Sequence, residues 1–187
     1  MKKLFAILVV IAFVASVASA QSFWGQAKMS AGVGAEVALP TVSGNGPGMG
    51  IGGFGLFQYG LNEDMLLTGQ VGYTSFMEKD YSGAKASMSA LTILAGGKYN
   101  LGKAVTPGFY GMLQLGIYAA SFKVSIPSYT IPGYGTIGGG TGTTSKSEFV
   151  FAPGVGMQFG NIDASVKYII NSDVSNIALN VAYVMPL

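Results

Sequence analysis

Apolar and polar residues alternate with a period of two along most of the chain beyond residue 25. From 26 to 40 the odd positions are Ala27, Met29, Ala31, Val33, Ala35, Val37 and Leu39. The even positions are Gln26, Lys28, Ser30, Gly32, Gly34, Glu36 and Ala38. Strand side chains point alternately to opposite faces, so this spacing predicts a strand with one apolar face. Seven more segments follow, at about 48–61, 66–76, 87–101, 108–122, 147–159, 162–170 and 176–187. The second is the least regular: Met49, Ile51, Phe57, Tyr59 and Leu61 share a face, while Phe54 and Leu56 fall on the other. The breaks at 61–65, 102–107 and 160–161 are short. Those at 77–86 and 123–146 are longer and read as outer loops, although the other two breaks on that side, 41–47 and 171–175, are also short.

The first residues follow a different pattern. Lys2 and Lys3 precede an apolar run from Leu4 to Val17, and Ala18, Ser19 and Ala20 supply the small residues of a cleavage site. That order is a secretory signal peptide over 1–20, cut after Ala20, with one domain over 21–187. Without Lys2 and Lys3 the chain keeps eight Lys against eight Asp and Glu, so no basic surface calls for nucleic acid. Half the residues are hydrophobic and only 10% are charged, against about 25% in soluble domains. No apolar run after the signal reaches the roughly 20 residues of a membrane helix. A closed barrel is the other way to cross a bilayer, since an open sheet leaves backbone groups unpaired in lipid. The predicted fold is therefore all-β: an eight-stranded antiparallel up-and-down transmembrane β-barrel.

Three features fit apolar side chains turned outward. The charges within segments (Lys28, Glu36, Lys98, Glu148, Asp163 and Lys167) all fall on the non-apolar face, predicting a neutral interior network. A Lys on the lipid face near the midplane costs about 2–4 kcal/mol. Outward aromatics sort into two tiers, as bilayer interfaces select. One tier is Tyr59, Tyr99, Phe109, Phe159 and Tyr183, near the periplasmic ends. The other is Tyr73, Phe149, Phe151 and Tyr168, toward the outer ends. Phe23 and Trp24 extend the lower tier. Many of the 29 glycines, Gly96, Gly116 and Gly154 among them, fall on inward positions, where they make room for larger neighbours.

Catalytic and cofactor chemistry finds little support. The chain has no Cys and no His, which removes disulfides, thiol nucleophiles and the commonest general base. Gly50-Ile-Gly-Gly-Phe-Gly55 matches a dinucleotide fingerprint but lies in a strand pattern with no helix after it. Ser82-Gly-Ala-Lys85 sits in a polar break without the partner motifs of a Ser-Lys enzyme. No cofactor, metal site or catalysis is expected. In the longest break, Tyr129 and Tyr134 are candidates for contacting a partner, ahead of the glycine-rich tract 138–145.

The signal peptide, the eight segments, Leu91-Thr-Ile-Leu-Ala-Gly-Gly-Lys-Tyr-Asn-Leu101 and the alternating end from Asn176 to Leu187 together resemble the small outer-membrane β-barrel family that includes outer membrane proteins A, X and W. The resemblance spans nearly the whole chain after the signal. The family usually ends in Phe, whereas this chain ends Met185-Pro186-Leu187. The resemblance implies a monomer surrounded by outer-membrane lipid and lipopolysaccharide, delivered by the barrel-assembly machinery. Three roles follow as expectations. The first is a structural or surface-interaction barrel with a plugged interior. The second, implied by outer membrane protein W, is a narrow channel for small apolar solutes. The third is a soluble lipocalin-like carrier, which requires the opposite polarity.

Overall fold

The computed structural model describes residues 29–41, 47–81, 84–102, 108–133, 135–172 and 174–187. The expected signal peptide, Phe23, Trp24, Lys28, Ser82 and Tyr134 lie outside them. Eight antiparallel strands follow one another in chain order: β1 (Met29–Pro40), β2 (Gly50–Gly60), β3 (Met65–Tyr81), β4 (Ala84–Asn100), β5 (Phe109–Ile131), β6 (Gly135–Phe159), β7 (Ile162–Ile169) and β8 (Asn176–Pro186). β8 pairs with β1 from Asn176↔Pro40 to Pro186↔Ser30, which closes the ring. Stepping across paired residues from Gly156 through Ser165, Asn180, Glu36, Gly52, Thr74, Ala90 and Ala120 returns to β6 at Lys146, ten residues from the start. With eight strands that stagger tilts each strand by about 40° to the barrel axis.

Alternation decides the faces. In β1, Ser30, Glu36 and Ala38 are buried while Met29, Val33 and Leu39 are exposed. The irregular second segment resolves in the same way: Phe54 and Leu56 keep the inward parity and are buried, and Ile51, Phe57 and Tyr59 point out. A narrow lumen has room for two apolar side chains where the neighbouring strands supply glycine.

Inward glycines are close-fitting. A Cβ on Gly96 would overlap the carbonyl oxygen of Leu113, and one on Gly116 that of Ile93. Outward Gly55 and Gly69 have nothing within 4 Å of the same position. Glycine is thus required on the lumen side, where strongly coiled strands approach each other, and is optional outside.

The two long breaks differ from expectation. They are zipped hairpins: β3 and β4 pair up to Tyr81↔Ala84, and β5 and β6 up to Ile131↔Gly135. The glycines of 138–145 suggested flexibility, but β5 pairs with them on either side of a break at Pro127 and Gly139, and the interleaved Thr141, Thr143 and Thr144 favour extended backbone. The turn lies at Pro132-Gly133, where Gly133 adopts φ 89°. β5 and β6 therefore run 23 and 25 residues, against 8 in β7. The outer rim is one-sided, with a wall raised on β3–β6. The β6–β7 ladder stops at Gly154↔Lys167 and resumes only as a bridge at Phe151↔Ile170; Pro153, between them, has no N–H to give.

Candidate functional site

The lumen is filled in layers. At the end that carries the short turns, Lys98 and Asp163 form a buried ion pair. Tyr110 donates its hydroxyl to Asp163 Oδ1 at 2.6 Å, and its ring lies 4.3 Å from Lys98 Nζ. Gln58 donates to Asp163 Oδ2 at 3.4 Å and accepts from Ser30 at 3.2 Å. Higher up, Lys167 Nζ lies 3.7 Å from Glu36 Oε2 and donates to Gln70 Oε1 at 2.9 Å, while Thr74 donates to Glu36 Oε1 at 2.8 Å. Each charge faces an opposite one and further hydrogen-bonding partners, the condition for keeping ions out of water. Above this tier the lumen turns apolar: Phe76, Met88, Leu94, Tyr118 and Val150 pack together.

Glu148 stands apart from the two deep pairs. It keeps the inward parity but lies at the mouth, where β6 has left the apolar band. There it meets Lys146 at 2.5 Å and accepts from Ser172 Oγ at 2.6 Å. These hydrogen bonds hold its carboxyl below the usual carboxylate range. Parity fixes which way a strand residue points but not how deep it lies. The two hairpins carry the rim upward, so Glu148 joins the rim rather than the core. Beside it Met88, Tyr118, Phe122, Asn171 and Val174 line a void of about 10 Å³, room for one water.

Outside, the nine girdle candidates all take outward positions. Tyr59, Tyr99, Phe109, Phe159 and Tyr183 lie toward the short turns, and Tyr73, Phe149, Phe151 and Tyr168 lie toward the wall. Between the tiers the outward residues are apolar, as in the row Val71, Ile93, Ile117, which runs up to Phe149 of the upper tier. Two rows higher the paired outward residues are Ser75, Ser89, Ser121 and Ser145, and the next row holds Ser87, Lys123 and Thr143. Lys85 projects outward above them, 3.2 Å from Glu78. Tyr129 lies in β5 opposite Ile137.

Tyr110, Gln58, Gln70, Thr74 and Lys146 are partners that charge counting along the strands overlooks. All but Lys146 sit at inward parity inside predicted segments, so polar and aromatic residues of that parity were the available signal. Lys146 fell in a presumed loop. No group of three or more His, Cys, Asp or Glu able to hold a metal occurs among the described residues.

Three solved structures that share this architecture are remote in sequence. Ail, the attachment invasion locus protein of Yersinia pestis, is 16% identical with a TM-score of 0.59, over 85% of this chain and 99% of that one. The chain has the fold of a small transmembrane β-barrel. Neisserial surface protein A is 14% identical with a TM-score of 0.52, over 86% of this chain and 97% of that one. The N-terminal β-barrel domain of Pseudomonas aeruginosa OprF is 14% identical with a TM-score of 0.50, over 83% and 97%. No protein-family model and no curated protein sequence matches the chain. The polarity of this small barrel, with hydrocarbon-like side chains outside and ions inside, is the reverse of a soluble carrier's.

Proposed function

We propose that the protein is an integral outer-membrane barrel with a plugged lumen, acting on the cell surface through the wall raised on β3–β6. In this reading residues 1–20 direct export and are removed after Ala20, and the barrel-assembly machinery inserts the rest. The two aromatic tiers sit at the membrane interfaces, and the serine row above Phe149 meets the lipopolysaccharide headgroups. The observation that carries the reading is the pairing of a lumen crossed by two buried ion-pair tiers with strands about twice the length a membrane needs. The attachment role named for Ail agrees with it. No step of catalysis is assigned to any residue.

The test labels intact cells with a membrane-impermeant amine reagent and measures conductance of the purified protein in planar bilayers. Lys85, Lys123 and Lys146 are expected to react, Lys98 and Lys167 to stay unlabelled, and no steady conductance to appear. Labelling confined to Lys98 or Lys167 would contradict the surface reading. Steady conductance would favour the alternative, a narrow path for small apolar solutes. The apolar upper lumen around Phe76, Met88 and Leu94 is the feature that speaks for that alternative.

A further inference from the structure

The lipid-facing side of the barrel carries a groove that sheet packing does not require. It runs over β4 and β5 from Met65 and Tyr99, beside the short turns, up to Leu115 and Pro153 in the apolar band, and encloses about 600 Å³. Its floor is Gly97 and Gly111, both at outward parity, opposite Leu113 and Tyr99. A Cβ on Gly97 would lie 3.5 Å from its nearest neighbour, the Leu66 carbonyl oxygen, and one on Gly111 3.6 Å from Leu101 Cδ1. These are ordinary contacts, unlike the overlaps at Gly96 and Gly116. Glycine weakens a strand interior, where it marks a bulge, a bend or the close approach of another molecule. The β4–β5 ladder runs without a bulge from Lys85 to Asn100, which favours the last of these.

The groove's length and its foot say what approaches. From Gly111 to Leu115 the strand covers about 13 Å, and a tilt of about 40° turns this into about 10 Å of height. That is most of the roughly 15 Å half-thickness of a hydrocarbon core. At the lower end the Asn100 N–H donates to the Asp64 carbonyl at 2.8 Å, which ties the turn Asn62-Glu63-Asp64 between the Met65 and Tyr99 ends of the groove. Glu63 is exposed there. Carboxylates at the level of the headgroups attract an ammonium and repel an anionic headgroup. A second lipid-facing groove, about 460 Å³, lies beyond Pro153 beside Val155, Val166 and Tyr168. The turn at that end of β6 and β7, Gly160-Asn161, carries no charge.

We infer that the β4–β5 groove is a binding site for one periplasmic-leaflet phospholipid with a primary-ammonium headgroup, as in phosphatidylethanolamine. One acyl chain lies over Gly97 and Gly111 between Tyr99 and Leu115, and the ammonium donates to Glu63 within the negative field of Asp64. A second barrel fits poorly, because its convex wall cannot enter a groove only two strands wide. The inference rests on the surface reading above, which puts the short turns in the periplasm, and adds a lipid that this reading does not specify.

The test gives the mature protein, purified in a mild detergent, equal amounts of phosphatidylethanolamine and phosphatidylglycerol with the same acyl chains, and counts bound lipid by native mass spectrometry. One phosphatidylethanolamine should be retained, with a preference of about tenfold. The variant Gly97→Leu/Gly111→Leu fills the floor and should lower retention about tenfold. Neither added side chain starts from a close contact, and leucine suits this face, so the variant should keep the heat-dependent gel migration of a folded barrel. Glu63→Gln/Asp64→Asn should still hold a lipid but lose the preference. A photoreactive group at the chain end should label β5 near Leu115. Equal retention of the two lipids, undiminished retention by the leucine variant, an unchanged preference without the two acids, or chain-end labelling spread evenly over the strands would each overturn the proposal. If it fails while the wall lysines label from outside, the lipid site falls and the surface reading stands. If the lysines do not label, the orientation falls and the periplasmic-leaflet assignment falls with it.

Discussion

β5 is two strands of opposite polarity joined end to end. In its lower half the odd residues Phe109, Leu113, Leu115 and Ile117 face outward, and the even residues Tyr110, Gln114 and Tyr118 face the lumen. In its upper half Ser121, Lys123 and Ser125 face outward, while Ala120, Phe122, Val124 and Ile126 face the mouth. The direction of each side chain does not change along the strand. What changes is the surrounding solvent. Hydrocarbon requires apolar side chains on the convex side, and water reverses the preference once the strand emerges. On the function proposed above, the serine row across β3–β6 marks the crossing. A sequence in which period-two alternation keeps its phase but exchanges its sign therefore records the membrane boundary.

Removing a charge separates the two halves most strongly. Asp163→Ala leaves Lys98 buried at 3% exposure and should lower stability by about 3–5 kcal/mol. Replacing both partners, as in Lys98→Met/Asp163→Leu, should recover most of that loss. Urea unfolding in vesicles, followed by heat-dependent gel migration, measures both. Glu148→Gln, at the rim beside half-exposed Lys146, should leave the midpoint unmoved. Equal loss at both sites would mean that the lower lumen is as wet as the rim.

A charge added outside sharpens the boundary itself. Leu115→Lys places an ammonium in the apolar band and should cost about 2–4 kcal/mol. Ser121→Lys, three rows higher on the same face, should be close to neutral. If Ser121→Lys is as damaging as Leu115→Lys, the boundary lies above the serine row. A smaller contrast comes from glycine. Gly116→Ala must displace the Ile93 carbonyl and should cost about 1–3 kcal/mol. Gly142→Ala, with open space around it, should change the same unfolding midpoint little.

Alternation made the number of strands, their order and their faces legible, because a half-buried sheet cannot hide its period. It was weaker on extent. The tract 138–145 read as a flexible loop because glycine lowers strand propensity, yet pairing with β5 outweighs that local tendency. Depth was the other gap. Glu36 and Glu148 have the same parity, but ten residues of stagger and the raised wall put one beside Lys167 and the other on the rim. The partners that complete the buried tiers, Tyr110 and Gln58 above all, are uncharged, so a census of ionic residues passed over them. No local pattern revealed that the wall rises on β3–β6 alone; that asymmetry exists only once β7 is seen to end at Ile169.

The smallest expected effect lies in the titration of the mouth. Hydrogen bonds from Lys146 and Ser172 hold the Glu148 carboxyl below its ordinary value of 4.5. A folded-state pKa below the unfolded one contributes stability above the unfolded value, and that contribution disappears as the pH falls through the folded value. The mouth pair should therefore persist from neutrality to below pH 4.5 and open only in stronger acid. Because Lys146 is half exposed, salt should weaken the effect. Carboxyl NMR titration of Glu148 in the intact barrel, repeated with Lys146→Ala, measures it. The midpoint should rise toward the ordinary carboxylate value in the variant. A midpoint that does not move would assign the depression to Ser172 rather than to Lys146.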